Sequence, residues 1–220
     1  MHRVRVKIEG LRDAAQAIEV AEMGADAIGL VFAESPRQVT CEQASAVVAA
    51  LPPWVATVGV FVNEPVEEIN ETIAATGITN VQLHGDETPD VVGQIDVRCI
   101  KAFRVKSQGW ADEVDAFLAG LDEAAVANLQ AVLLDAYDKT IRGGSGRQFN
   151  WNMVAEARKV GRFADWPPII LAGGLAPDCV ADAIRTVQPW AVDVASGVES
   201  APGVKDMEKV RAFIYNTWHV

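Results

Sequence analysis

Apolar residues arrive along the chain in short runs, and between the runs they recur with helical spacing. The runs fall at 4–8, 27–32, 55–62, 81–83, 97–102, 131–134, 169–172 and 191–194. In the first, Val4, Val6 and Ile8 alternate with Arg5, Lys7 and Glu9, so one face of the strand is apolar and the other charged. A free-standing sheet would turn the charged face to water, whereas a barrel can turn it inward. The stretch LRDAAQAIEVAEMG ends at Gly24, which suits a helix C-cap, and CEQASAVVAALP stops at a proline pair. PVEEINETIAATG ends at Gly77, while PDCVADAIRTVQP and DMEKVRAFIYNTW supply helical segments in the last third. Eight strand-then-helix units in 220 residues predict a compact (β/α)8 TIM barrel forming a single domain over 1–220. A doubly wound sheet competes with this reading but would leave a unit over. No linker-like tract or shift in composition suggests a second domain.

Composition narrows the partners. A formal net charge of −11 argues against nucleic acid and against an anionic membrane, since either calls for a field of Lys and Arg. Such a protein binds an anion locally, with a few placed cations and backbone amides. The three cysteines, Cys41, Cys99 and Cys179, are odd in number, far apart and without metal-ligand spacing, which fits reduced thiols in a cytoplasmic protein. No apolar run approaches the length of a membrane span, and MHRVRVKIEG lacks a signal-peptide core.

In a barrel of this kind the chemistry sits at the C-terminal ends of the strands. Read in order, those junctions carry Glu9-Gly10, then Arg37, Asn63, His84 with Asp86 and Glu87, Lys101 with Arg104, Asp135, Gly173-Gly174, and Ser196-Gly197. Polar and glycine residues gather at this rim and not at the opposite one. After strands 7 and 8 come AGGLAP and ASGVESAPG, two glycine loops where backbone N–H groups can approach an anion. Side by side they predict a phosphate site at Gly173, Gly174, Ser196 and Gly197. A third cluster, GGSG at 143–146, reads either as a lid or as a second anion contact. Arg37, with its bidentate fork, suits a carboxylate at the other end of the ligand. Asp86 and Glu87 read as the cap and first turn of the next helix. Lys101 and Arg104 either attract an anionic substrate or face water. Lys7 lies one layer below Glu9, and Asp193 stands at similar depth on the strand that closes the barrel. That predicts a Lys7–Asp193 pair; pairing of Lys7 with Glu9 instead would depress the Glu9 carboxylate and weaken it as a base.

These residues also resemble a known family. GADAIGLVFAESPRQV, VGVFVNEP, VQLHGDE, LLDA…GGSGRQFNW, ILAGGLAPDCVADAI and VDVASGVESAPGVKD are together similar, end to end, to the phosphoribosylanthranilate isomerases of tryptophan biosynthesis. The resemblance implies an Amadori rearrangement of N-(5-phosphoribosyl)anthranilate to the 1-deoxyribulose 5-phosphate, with no metal or organic cofactor. It implies Asp135 as general acid and a small phosphosugar as the ligand of a monomer or homodimer; His84, at its strand end, reads as a substrate-side or loop-orienting residue. Two departures stand out. Where the family reads Lys-Ile-Cys-Gly, with cysteine as general base, this chain has KIEG and therefore Glu9; where the family reads Ser-Ser-Gly, it has Ala195-Ser196-Gly197. A related barrel isomerase of histidine biosynthesis uses an aspartate from strand 1, so a carboxylate base has a precedent. Two alternatives stand beside the isomerase: a phosphosugar-binding barrel that no longer turns over, and an isomerase shifted toward the histidine-pathway substrate.

Overall fold

The computed structural model describes residues 3–106, 109–135 and 151–220. Eight parallel strands close on themselves in sequence order, β1 beside both β2 and β8. They are β1 (Arg5–Glu9), β2 (Ala27–Val31), β3 (Ala56–Phe61), β4 (Asn80–Leu83), β5 (Arg98–Arg104), β6 (Leu129–Asp135), β7 (Ile169–Ala172) and β8 (Ala191–Val194). Around them run α1 (Ala14–Glu22), α2 (Cys41–Ala50), α3 (Val66–Thr76), α4 (Pro89–Val92), α5 (Trp110–Ala119), α6 (Glu123–Asn128), α7 (Trp151–Lys159), α8 (Val180–Val187) and α9 (Met207–Trp218). The predicted TIM barrel is the observed fold. Among the described residues no helix is long and apolar enough to cross a membrane.

Strand alternation sorts the side chains into two cores. Val6, Ile8, Leu30, Val81, Leu83, Leu134, Leu171 and Val192 pack outward against Val47, Ile69, Ile184 and Phe213 of the helices. The complementary residues fill the barrel. Val58, Ile100, Ala131, Leu133, Ile170 and Ala191 form its apolar interior. Register then stacks the polar residues of the mouth: Lys7 stands beside Asp193, and Glu9 beside Gly29. The alternation seen at the start of the sequence is thus a charged inner face, folded around by seven other strands.

Local chemistry sets the element ends. Gly77 closes α3 in the left-handed conformation (φ 73°), as its position predicts. Thr40 and Gln43 form a reciprocal capping box at the start of α2, and Leu51 ends that helix before the proline pair. Two features lie beyond the sequence reading. Between β5 and β6 the chain makes two helices, α5 and α6, and after β8 it forms a small antiparallel hairpin, β9 (Glu199–Ala201) with β10 (Val204–Lys205).

Leu134 is fully buried in the layer between strands and helices. Leu134→Ala should lower unfolding free energy by about 2–5 kcal/mol in urea titrations, with an unchanged m-value, because the strand–helix layer has no slack to refill the cavity.

Candidate functional site

Glu9 ends β1 with its side chain turned into the barrel mouth. Room for it comes from Gly29 on the adjacent strand, where an added Cβ would stand 2.9 Å from Glu9 Cγ. Below it, Lys7 is 3% exposed, and its ammonium donates three hydrogen bonds: to Glu9 Oε2 (2.7 Å), Gln82 Oε1 (2.8 Å) and Asp193 Oδ2 (3.0 Å). The sequence posed a choice of partner, Asp193 or Glu9, and Lys7 takes both.

The charges follow from this clamp. Burial pushes the Glu9 carboxyl up, but the Lys7 charge and hydrogen bond, helped by a hydrogen bond from Asp193, bring it down to about 2. Asp193 has the same neighbour and goes the other way. Its burial, reinforced by the charge of Glu9, outweighs Lys7 and leaves the carboxyl at about 7. Burial would lower Lys7, yet the two carboxylates raise it above the ordinary ammonium value. One ammonium balances one carboxylate, and a second negative charge in the same buried place is costly.

Gln82 carries the network across the barrel. Its Oε1 is occupied by Lys7, so its Nε2 is the donor, to Glu9 Oε2 at 3.3 Å and to His84 Nδ1 at 2.9 Å. A neutral His84 ring then accepts at Nδ1 and carries its proton on Nε2, which lies 3.7 Å from Asp135 Oδ2. Gln82 itself is fully buried. Its role escaped sequence reasoning, which singled out charged residues; its inward register on β4 was the available signal.

Glu9, His84 and Asp135 line one cavity of ≈ 240 Å³ with Asp193, Gly173, Gly174, Ser196 and Gly197. Gly173 (φ 91°) and Gly174 (φ 56°) take left-handed backbone conformations that a side chain would strain. Gly197 is held for a different reason. A Cβ there would collide with the carbonyl oxygen of Leu175, so the loops after β7 and β8 interlock backbone to backbone. Seven of the eight residues read from the sequence as catalytic or binding therefore meet in one place.

Arg37 is the eighth, and it does not line that cavity. Its stem passes over Gly10 beside Glu9, and its fork is held by Glu199: Nε to Oε1 at 2.8 Å and Nη2 to Oε2 at 2.7 Å. Lys205 also donates to Glu199, at 2.8 Å. Other expectations need correction. Asp86 does not cap the next helix and Glu87 is not in its first turn, since Thr88 is the N-cap of α4 and Asp90 is its first-turn acid; Glu87 is 8% exposed and accepts from Lys101 Nζ and from the amides of Asn63 and Gly85. Lys101 neither faces water nor reaches the mouth, being buried beside Phe103 and Phe117. Arg104 is exposed at the end of β5 and lines a separate cavity of ≈ 390 Å³ beyond His84. The GGSG cluster at 143–146 lies outside the described residues.

Comparison with known proteins bears on this geometry. Residues 6–216 match the family model described as N-(5′-phosphoribosyl)anthranilate (PRA) isomerase. A protein of Geobacter metallireducens named N-(5′-phosphoribosyl)anthranilate isomerase is 48% identical, covering 96% of this chain and 97% of its own. Among solved structures, phosphoribosyl anthranilate isomerase from Thermotoga maritima superposes with a TM-score of 0.85 at 36% identity, covering 99% of this chain and 100% of that one. Another phosphoribosyl anthranilate isomerase was solved in complex with reduced 1-(o-carboxyphenylamino)-1-deoxyribulose 5-phosphate. It superposes at 0.82 with 34% identity, covering 99% of this chain and 100% of that one.

The interlocked loops give a direct test of the anion cradle. Gly197→Ala should weaken binding of a sugar phosphate at least about tenfold by calorimetry, a loss of about 1.4 kcal/mol, while the protein stays folded. Unchanged affinity would place the phosphate elsewhere.

Proposed function

The chain belongs to the N-(5′-phosphoribosyl)anthranilate isomerase family, and from that premise we propose that Glu9 and Asp135 act as the base and acid of the Amadori rearrangement in tryptophan biosynthesis. The observation that carries the assignment is the shared cavity: both carboxyl groups and His84 line it together with the two glycine loops. A 5-phosphate seated on Gly173, Gly174, Ser196 and Gly197 anchors one end of the substrate and holds the furanose ring over the strand ends.

Chemistry then divides by side. Asp135 gives a proton to the ring oxygen; the C1′–O bond breaks as the nitrogen lone pair forms the protonated imine. Glu9 removes the proton from C2′, and the C–H electrons form the C1′–C2′ double bond of the enolamine as the imine nitrogen is neutralised. Return of a proton to C1′ and loss of the O2′ proton, which resets Asp135 through solvent, complete the ketone. His84, fixed by Gln82 with its Nε2 toward Asp135, orients the acid. Arg37 takes the anthranilate carboxylate. Glu199 occupies its Nε and one Nη2 hydrogen and holds the guanidinium still, so that the Nη1 edge meets the ligand.

A second reading, a barrel that binds the phosphosugar without converting it, draws on one feature: the Lys7 clamp that lowers Glu9 to about 2 and makes it a weak base. The two readings separate in a steady-state assay with freshly generated phosphoribosylanthranilate. Turnover is expected, and Glu9→Gln should reduce kcat by about a hundredfold or more with little change in KM, as should Asp135→Asn. Glu9→Cys, which restores the residue of the family motif, should retain turnover. Wild-type rates equal to a buffer blank would leave only the binding barrel.

A further inference from the structure

A base held at about 2 is poorly matched to a carbon acid near neutral pH, and the structure around Glu9 holds a remedy. Lys7 Nζ touches Glu9 Oε2 at 2.7 Å and Asp193 Oδ2 at 3.0 Å, so one ammonium bridges the two carboxyl groups. Asp193 is 5% exposed, and among the described residues nothing donates to its other oxygen, Oδ1, which is buried; its carboxyl group also lies within hydrogen-bonding reach of Glu9. An oxygen that receives no donor holds negative charge poorly and favours a proton on the carboxyl group.

We propose that Asp193 is a proton-relay residue of this site, taking up directly from Glu9, beside the Lys7 ammonium that holds them both, the proton that Glu9 removes from the substrate. The proposal rests on the reading of Glu9 as base and deepens it. In the relay the new O–H bond at Glu9 breaks as its proton crosses the hydrogen bond between the two carboxyl groups to Asp193, while Lys7 keeps its three N–H bonds and holds both groups in place. Lys7 stays an ammonium, Glu9 returns to a carboxylate, and Asp193 becomes neutral. The reverse transfer later supplies C1′. Lys7, Glu9 and Asp193 thus work as one unit that takes its first proton near pH 7, although the carboxylate nearest the substrate is far weaker.

Other groups around the unit fit this division. β7 offers Ala172 to the cavity and the loop after it the uncharged Gly173, Gly174 and Leu175, and the neutral Gln82 is the contribution of β4 to the Lys7 clamp. Beyond Lys7, charge reaches Glu9 from Arg37 and Lys205, while the neutral His84 ring meets the unit through Gln82. Asp135 faces the cavity from β6. Among these, Asp193 combines direct contact with Lys7 and a buried oxygen to which no described residue donates.

Asp193 must be ionised to accept the proton, so kcat/KM should rise with pH through about 7 as its carboxyl empties. Asp193→Asn keeps the shape and an acceptor for Lys7 but cannot carry the proton. It should lower kcat about tenfold or more with little change in KM, and the limb near pH 7 should vanish from the profile. Asp193→Glu should keep a limb but move its midpoint; this variant decides the matter should the Asn protein not fold. An unchanged limb in Asp193→Asn, or an unmoved midpoint in Asp193→Glu, overturns the relay. Loss of turnover in Glu9→Gln alongside that result would leave Glu9 as base, whereas full activity of Glu9→Gln would overturn both assignments.

Discussion

One buried ammonium organises the mouth of this barrel. Burying Lys7 costs several kcal/mol unless each of its N–H groups finds an acceptor, and all three do, on three different strands. Glu9 comes from β1, Gln82 from β4 and Asp193 from β8, so the clamp ties neighbouring β1 and β8 to β4 across the interior. Positions of the remaining polar groups descend from it. Glu9 is aimed because Lys7 holds one oxygen, and the Gln82 amide is oriented because Lys7 holds the other end. His84 inherits its tautomer from Gln82 and presents Nε2 toward Asp135.

Two carboxyl groups sharing one cation cannot have equal affinities for a proton. Glu9 wins the shorter contact and the lower value, and Asp193, with an oxygen that no described residue donates to, is left near 7. With Glu9 as the proposed base, the question is how a carboxylate clamped by an ammonium removes a proton at neutral pH. On the proposed reading, the split supplies an acceptor of suitable strength one hydrogen bond from Glu9. Geometry at the other end is independent of this charge balance, since the loops after β7 and β8 are locked by the contact of Gly197 with the Leu175 backbone.

Much of this was legible in the sequence, and the limits have physical causes. All eight strands announce themselves as apolar runs, because a sheet covered by helices must bury them. The Lys7–Asp193 pair followed from strand parity and from closure bringing β8 beside β1. Gln82 carries no charge, and nothing local marks it as the third acceptor of an ammonium 75 residues away. Glu199 reaches Arg37 across 162 residues through a hairpin that reads as a plain glycine turn. Glu87 precedes a Thr-Pro helix start and so resembles a first-turn acid, yet Lys101, buried on the helix side of β5, draws its carboxylate inward. Contacts made by single side chains over long separations are what pattern alone leaves undetermined.

The account turns on the claim that Lys7 splits the Glu9 and Asp193 carboxyl groups. Carbon-13 NMR of the intact protein, with carboxyl-labelled aspartate and glutamate, measures that split directly. The predicted result is a Glu9 signal unmoved until pH falls toward about 2, and an Asp193 signal titrating near 7. Two carboxyl groups that titrate together in the ordinary range around 4 would contradict it.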